Sequence, residues 1–442
     1  MKAPRTPLHS WLGRKLGLAS GQAPDPEAIA GYQLAKLRES IIQVRKHSPF
    51  HRERLLGLPD GFPDRLEDLA QAPLTTSQDL RLHHLSMLCV SLNQVARVVT
   101  LRTSGTTAQP KRVYFSDSDL ELTLDFFHNG MSTMVEPGGC TLILLPGATP
   151  DSVGDLLARA LARMQVRALI HGPLGDPGAA LAQAEACGAD CLVGIPVQVL
   201  ALAEHPKAGR LRGAVRSVLL TTDYVPQALA ARIRKAWDCE IFEHYGMTET
   251  GLGGGVDCRA HAGYHLRGAD LYYEVVEPKS GAPLPPGREG ELVVSSLTRQ
   301  AMPLLRYRTG DWGRLLPENA CPCGGVTPRL DRVTGRLANH IRLAGGEPLP
   351  MCLLDEALFA VPGVMDYRAR LHAEGQTQRL ELIVQTRADE STELTRKVKR
   401  AANAVPLLRQ RLSAGGMSLG PISLTAAAWS SGGSTKRAFN FR

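Results

Sequence analysis

Between about residues 80 and 225, short apolar runs alternate with Ala/Leu-rich stretches, and this alternation constrains the fold most. Thr141-Leu-Ile-Leu-Leu145 and Ser217-Val-Leu-Leu220 have the length and composition of buried strands. Residues 153–165 and 178–187 instead have the length and composition of helices. Strand and helix in turn build a layered α/β domain around a largely parallel sheet. Upstream, residues 27–58 put Ile29, Leu34, Leu37, Ile41 and Ile42 at helical spacing, with a stop near Pro49. The segment 271–297 changes period. Tyr272, Tyr273, Val275 and Val276 precede a Pro/Gly turn and then Glu291-Leu-Val-Val294, which predicts antiparallel strands. After Gly335 the pattern resets, with strands at 341–343, 367–372 and 380–384 and helices at 352–359 and 390–413. A stretch of roughly 100 residues of this kind suffices for a separate small domain.

Into this frame the chain sets Leu101-Arg-Thr-Ser-Gly-Thr-Thr-Ala-Gln-Pro-Lys111. Thr103, Ser104, Gly105, Thr106 and Thr107 line up small hydroxyl and Gly residues, and Lys111 follows. Hydroxyls and open backbone N–H groups wrap phosphate oxygens, and the lysine adds a point charge. Val98, Val99 and Leu101 run into the loop and Val113 and Phe115 leave it, so it reads as strand, loop, strand. A Walker A loop needs a second Gly before its Lys and a helix after it. Both are missing, so this is a phosphate loop of another kind.

A second constellation is Cys258 and His265 with Cys321-Pro-Cys323-Gly-Gly. Three thiolates and an imidazole complete a tetrahedral structural zinc site, and the glycines free the backbone for a tight knuckle. His261 competes with His265 for the fourth position. The other cysteines of the nine are scattered, which argues for free thiols and against a disulfide framework. No apolar run approaches the roughly 18 residues that span a bilayer. Met1-Lys-Ala-Pro-Arg5 is basic, but no apolar segment follows it, so a cytoplasmic location without membrane contact is expected. The net charge of +8 suits an anionic partner such as ATP or CoA. The chain lacks a basic stripe interleaved with aromatics, which argues against nucleic acid.

Further motifs follow the phosphate loop in order: Glu243-His-Tyr-Gly-Met-Thr-Glu-Thr250, Tyr307-Arg-Thr-Gly-Asp311 and Gly335-Arg336. In order and spacing the chain resembles the adenylate-forming (AMP-binding) superfamily of acyl-CoA synthetases, adenylation domains and luciferases. Within it, the chain is most similar to the phenylacetate–CoA ligase family. Leu34-Ala-Lys-Leu-Arg38, Ser48-Pro-Phe50, Leu66-Glu-Asp-Leu69 and Pro73-Leu-Thr-Thr76 carry that likeness at the N-terminal end. Some phenylacetate–CoA ligase relatives also look similar at the cysteine and histidine positions.

The resemblance implies a large N-terminal AMP-binding α/β domain over 1–336 with a small β-barrel-like subregion. It also implies a small mobile α+β lid over 337–442, hinged near 337–339. The implied reaction is ATP-dependent adenylation of a carboxylic acid, aryl or arylalkyl, followed by transfer to the thiol of CoA or of a carrier protein. By the same resemblance Thr248 contacts the α-phosphate, Glu249 binds Mg²⁺ and Tyr245 lies against adenine. Asp311, acceptor-only when ionised, suits the ribose hydroxyls, and Arg336 supports ribose or phosphate. A homodimer is one assembly such a chain could form.

The chain also departs from the pattern. Thr221-Thr-Asp-Tyr224 stands where relatives carry Gly-Glu or Ala-Glu before the adenine, so Asp223 substitutes at one methylene less reach. The hinge aspartate appears as Ala338 or Asn339. Aligning Gly433-Ser-Thr-Lys-Arg437 on the C-terminal lysine motif puts Ser434 at the catalytic position, leaving Lys436 to take over or the role lost. Two other readings stand: an adenylylated conjugate as end product, as in the coenzyme F390 synthetases that the family resembles, and, motivated by Ala338 and Ser434, a nucleotide-binding accessory protein without turnover. Phe126, Phe127 and His128 either line the acid pocket or pack the core. Gly251, Gly253, Gly254 and Gly255 form either a flat wall beside the carboxylate or a flexible loop.

Overall fold

The computed structural model describes residues 5–19, 22–101, 109–317, 321–336, 340–343, 348–374, 377–387, 391–425 and 440–441. Thr103, Ser104, Gly105, Thr106, Thr107, Ala338, Asn339, Ser434 and Lys436 lie outside the described residues. The chain is α/β and divides into two compact units that interleave along the sequence. One comprises Met1–Gly138, Pro146–Arg167 and Phe242–Val333; the other comprises Gly139–Leu145, Ala168–Ile241 and Thr334–Arg442.

The first unit begins with helices whose caps are written in the sequence. Asp25 accepts from the Ala28 N–H at 2.7 Å and opens Pro26–His47, and Pro49 starts the next short helix after Ser48. Leu37, Ile41 and Val44 of the long helix join Leu55, Phe62, Leu69, Leu297 and Leu305 in one core. Ile42, expected on the apolar stripe, is 66% exposed, and Val44 takes the buried place. The expected strand–loop–strand is an antiparallel pair, Arg97–Leu101 with Lys111–Phe115, in a register that sets Leu101 opposite Lys111. Directly after it, Ser116 and Asp119 close a capping box that starts the helix Asp117–Met131. The segment 271–297 forms the expected antiparallel strands. Leu271–Val276 pairs with Gly290–Ser296, which pairs with Tyr307–Gly313. Among the described residues this sheet is not a closed barrel.

In the second unit, Cys140–Ile143, Cys191–Gly194 and Ser217–Leu220 run parallel as fully buried strands, as their uninterrupted apolar sequence requires. Helix Gln227–Trp237 packs against helix Met351–Phe359. The later part of this unit is a sheet in the order Met417–Thr425, Thr377–Thr386, Val364–Glu374, Asn440–Phe441. The single helix expected over 390–413 is two, Thr392–Ala404 and Pro406–Ser413. Pro406 cannot donate to the preceding turn, so it opens a new helix at its first position.

Candidate active site

Two clusters of polar side chains in the first unit gather the residues singled out by the sequence. Lys111 opens the strand that leaves the hydroxyl-rich loop, and its Nζ is hydrogen-bonded to Glu249 Oε1. Glu249 sits in the short 3₁₀ turn Thr248–Thr250, 5% exposed. Thr250 closes that turn by accepting from the Met247 N–H at 3.2 Å, so local capping is met without Thr248. Tyr307 donates to the same Glu249 oxygen at 3.1 Å, and Lys111 Nζ lies 3.4 Å from the Tyr307 hydroxyl. Burial alone would raise the Glu249 carboxyl. The Lys111 ammonium overrides burial with help from Tyr307, and the group is held below its ordinary range.

The second cluster is Tyr245 with Asp311. The Tyr245 hydroxyl donates to Asp311 Oδ2 at 2.9 Å, and both residues are buried. Burial, reinforced by the Asp311 charge, pushes the Tyr245 phenol well above its ordinary value, so it stays a donor. Asp223 and Arg336 belong to the second unit. Asp223 accepts from the Tyr224 N–H at 2.9 Å, and the preceding Thr222 holds φ at 79°. A β-branched residue in that left-handed region is strained, a condition that concentrates at functional sites.

Of the glycines after Thr250, Gly253, Gly254 and Gly255 are packed closely against aromatic side chains. Gly251, Gly253, Gly254 and Gly255 are buried. A Cβ on Gly253 would stand 2.4 Å from Phe126 Cδ1, and one on Gly254 would stand 2.3 Å from the Tyr273 hydroxyl. Phe126 and Phe127 are themselves buried, with Trp11 edge-on to Phe126 at 6.1 Å and the Arg267 guanidinium 5.2 Å from its ring centre.

Cys258, His265, Cys321 and Cys323 converge, all buried, with their ligand atoms within 4.8 Å of one another. A zinc tetrahedron with ordinary bond lengths has S···S edges of about 3.8 Å and S···N edges of about 3.6 Å. Here Cys258 Sγ lies 3.7 Å from Cys321 Sγ, and Cys323 Sγ lies 3.6 Å from His265 Nε2. The sulfur separation excludes a disulfide. His265 Nδ1 is 2.5 Å from Thr327 Oγ1, which orients the ring as an outer partner of a metal ligand does. His261 is out of the cluster and pairs with Asp257 at 2.5 Å. The residues fit a tetrahedral metal. Burial opposes ionisation of Cys323, but His265 and the N–H groups of Thr6 and Gly325 pull its thiol downward.

Sequence reasoning missed Tyr307 and Thr327 as partners of Glu249 and His265. Tyr307 stands inside the Tyr-Arg-Thr-Gly-Asp motif, so a signal was present; Thr327 carried none.

Glu249 is thus a buried carboxylate paired with Lys111 on an α/β fold. The fold is similar to that of a 2-hydroxyisobutyryl-CoA ligase in its postadenylation state with an acyl-AMP, at a TM-score of 0.76 and 20% identity over 94% of this chain and 89% of that one. The profile of the AMP-binding enzyme family matches residues 88–302. The chain is 29% identical over 376 residues to a phenylacetate-coenzyme A ligase of Thermus thermophilus, covering 81% of this chain and 82% of the relative. It is 26% identical over 386 residues to one of Pseudomonas putida, covering 82% and 83%. The chain is thus similar to the AMP-binding enzyme family over residues 88–302 and, over most of its length, to phenylacetate-coenzyme A ligases.

Proposed function

We propose that this protein is an AMP-forming acid–thiol ligase. It activates a carboxylic acid, aryl or arylalkyl, as its acyl-adenylate and passes the acyl group to CoA. In the first step a carboxylate oxygen attacks the α-phosphorus of ATP, the α–β anhydride bond breaks and pyrophosphate leaves. In the second the thiol sulfur attacks the acyl carbon, AMP leaves and the thiol proton goes to solvent. The carboxylate needs this activation because oxide is a poor leaving group and AMP a good one.

The observation that carries the reading is the meeting of Lys111 with the ionised Glu249. A lysine at the mouth of a hydroxyl loop suits phosphate oxygens, and a buried ionised carboxylate suits a divalent cation. Residues 103–107 and Lys111 would hold the β- and γ-phosphates, Thr248 the α-phosphate and Glu249 the Mg²⁺ that neutralises developing charge. Tyr245 would lie against the base, Asp311 would accept from ribose hydroxyls, and Asp223 and Arg336 would complete the nucleotide contacts. Lys436 would supply the C-terminal cation, and 337–442 would act as the lid. Cys258, His265, Cys321 and Cys323 would bind zinc, structural because all four positions are filled by protein. No described helix is long and apolar enough to cross a membrane, and we place the enzyme in the cytoplasm.

The test is pyrophosphate release with ATP and Mg²⁺ across a panel of aryl, arylalkyl and short-chain acids, with and without CoA. Acid-dependent release with a thioester product is expected. Tight MgATP binding without release for any acid would refute the ligase reading.

A further inference from the structure

We propose that Arg299 is a positioning residue that sets the distance between the phosphate lysine and the metal carboxylate; this rests on the MgATP reading above. Arg299 is 7% exposed. One arm of its guanidinium donates to the Glu249 carbonyl at 2.8 Å, and the other donates to the Tyr114 carbonyl at 2.8 Å. Its central carbon stacks 4.5 Å from the Phe115 ring centre. Tyr114 and Phe115 are the last two residues of the strand that Lys111 begins. Thus Lys111 and Glu249 touch through their side chains, and one guanidinium ties the Glu249 backbone to Tyr114, three residues along the strand that Lys111 begins.

The bracket is itself anchored. Asp119 accepts from the N–H groups of Gln300 at 2.7 Å and Ala301 at 2.9 Å, so the turn carrying Arg299 is pinned to the start of helix Asp117–Met131. The geometry needs a planar fork. A lysine could reach one carbonyl, but not both at opposite ends of a flat group. Burying an arginine is costly, the Arg267 charge adds to that cost, and the nearby charges of Asp119 and Glu249 offset part of it. Two backbone carbonyls could be satisfied more cheaply; what the arginine adds is a fixed separation. A shift of about 1 Å between groups gripping the same nucleotide costs roughly a hundredfold in rate.

The variants are Arg299→Met and Arg299→Lys, each alone and combined with Glu249→Gln. A cavity lined in part by Phe115, Asp119, Arg267 and Glu249 adjoins the guanidinium and gives methionine room. Pyrophosphate release is measured against Mg²⁺ concentration, and MgATP binding by calorimetry over the same range. Arg299→Met is expected to lower kcat about 30- to 100-fold and raise the half-saturating Mg²⁺ about tenfold. Arg299→Lys should recover part of both. In the Glu249→Gln background, Arg299→Met should add almost nothing, because both changes act through one group. Unchanged Mg²⁺ dependence, with activity lost only in proportion to folded protein, overturns the proposal, as does full additivity with Glu249→Gln. If Arg299→Met does not fold, Arg299→Lys decides by the same two readouts. If the wild-type protein binds MgATP but turns over no acid, the ligase reading fails, while the Mg²⁺ dependence of binding still decides Arg299.

Discussion

Replacing Cys321 by serine should abolish the proposed zinc binding and soften the unit that carries the site. Cys321 is 2% exposed and lies 3.7 Å from Cys258 Sγ, across a separation of 63 residues. The knuckle therefore ties a strand pair to a distant loop, and through the Thr6 N–H it also holds the start of the first helix. Serine keeps the volume but offers no thiolate, so one corner of the tetrahedron is lost. A ligand present at about a thousand times its dissociation constant stabilises the state that binds it by about 4 kcal/mol. For a unit of roughly 250 residues, each 1 kcal/mol moves the melting temperature by about 2–4 °C. Cys321→Ser should thus melt about 8–16 °C lower. Elemental analysis of protein purified without added metal should give one zinc per wild-type chain and almost none per variant. A chelator should bring the wild-type melt down to that of the variant and leave the variant unmoved. Wild-type protein without zinc, or with a melt indifferent to chelation, would refute the reasoning.

Two further outcomes are expected. His51 is buried against the Pro303 carbonyl and its pKa is pushed down to about 4, chiefly by burial, from 6.5. The unfolded chain therefore binds the proton that the native state refuses. Stability is complete above pH 6.5 and falls by about 3 kcal/mol as the pH drops to about 4. His51→Gln should flatten that limb in urea midpoints measured from pH 7 to 4, and an unchanged slope would exclude His51 as its source. Glu356 accepts from the Tyr224 hydroxyl at 2.8 Å and from the Gln227 and Ala228 N–H groups at 2.8 and 3.0 Å, capping a helix whose own N-cap is Pro226. Glu356→Ala should cost about 2 kcal/mol by chemical denaturation. Tyr224→Phe should then add almost nothing in that background, and additive losses would exclude a shared bond.

The parts legible in the sequence were those decided locally. The hairpin around the hydroxyl loop, the buried strand at Ser217–Leu220 and the antiparallel pair within 271–297 all followed from side-chain period and turn residues. Pro406 was a legible break that the apolar period of 390–413 concealed. Ile42 fits the helical spacing as well as Val44 does, and only the position of the neighbouring core decides which faces water. The glycines at 253 and 254 could not be read alone, because their reason is the Phe126 ring and Tyr273 hydroxyl pressed on them from other elements. The choice of His265 over His261 needed the strand pairing of Tyr264–Leu266 with Arg329–Leu330, which brings the knuckle alongside. Arg299 left no motif at all: its partners are backbone carbonyls, which every residue has.

The same distinction bears on why Glu249, the carboxylate proposed to hold the metal, is paired before any nucleotide arrives. Burial by itself would push the Glu249 carboxyl upward, towards the protonated form that does not bind a cation. Lys111 holds it ionised, and Tyr307 adds a hydrogen bond to the same oxygen. The pairing is therefore a requirement of burial, and burial is a requirement of strong electrostatics in the site. In the proposed reaction both partners exchange one another for charges on the same ligand, Lys111 for phosphate oxygens and Glu249 for the cation that accompanies them. Each buried charge thus keeps an opposite charge throughout, which keeps the exchange from exposing a bare ion to a low-dielectric interior. On this argument the backbone tie through Arg299 has a plain purpose: the two groups must part by a small, fixed amount, and the strand and turn that carry them must not.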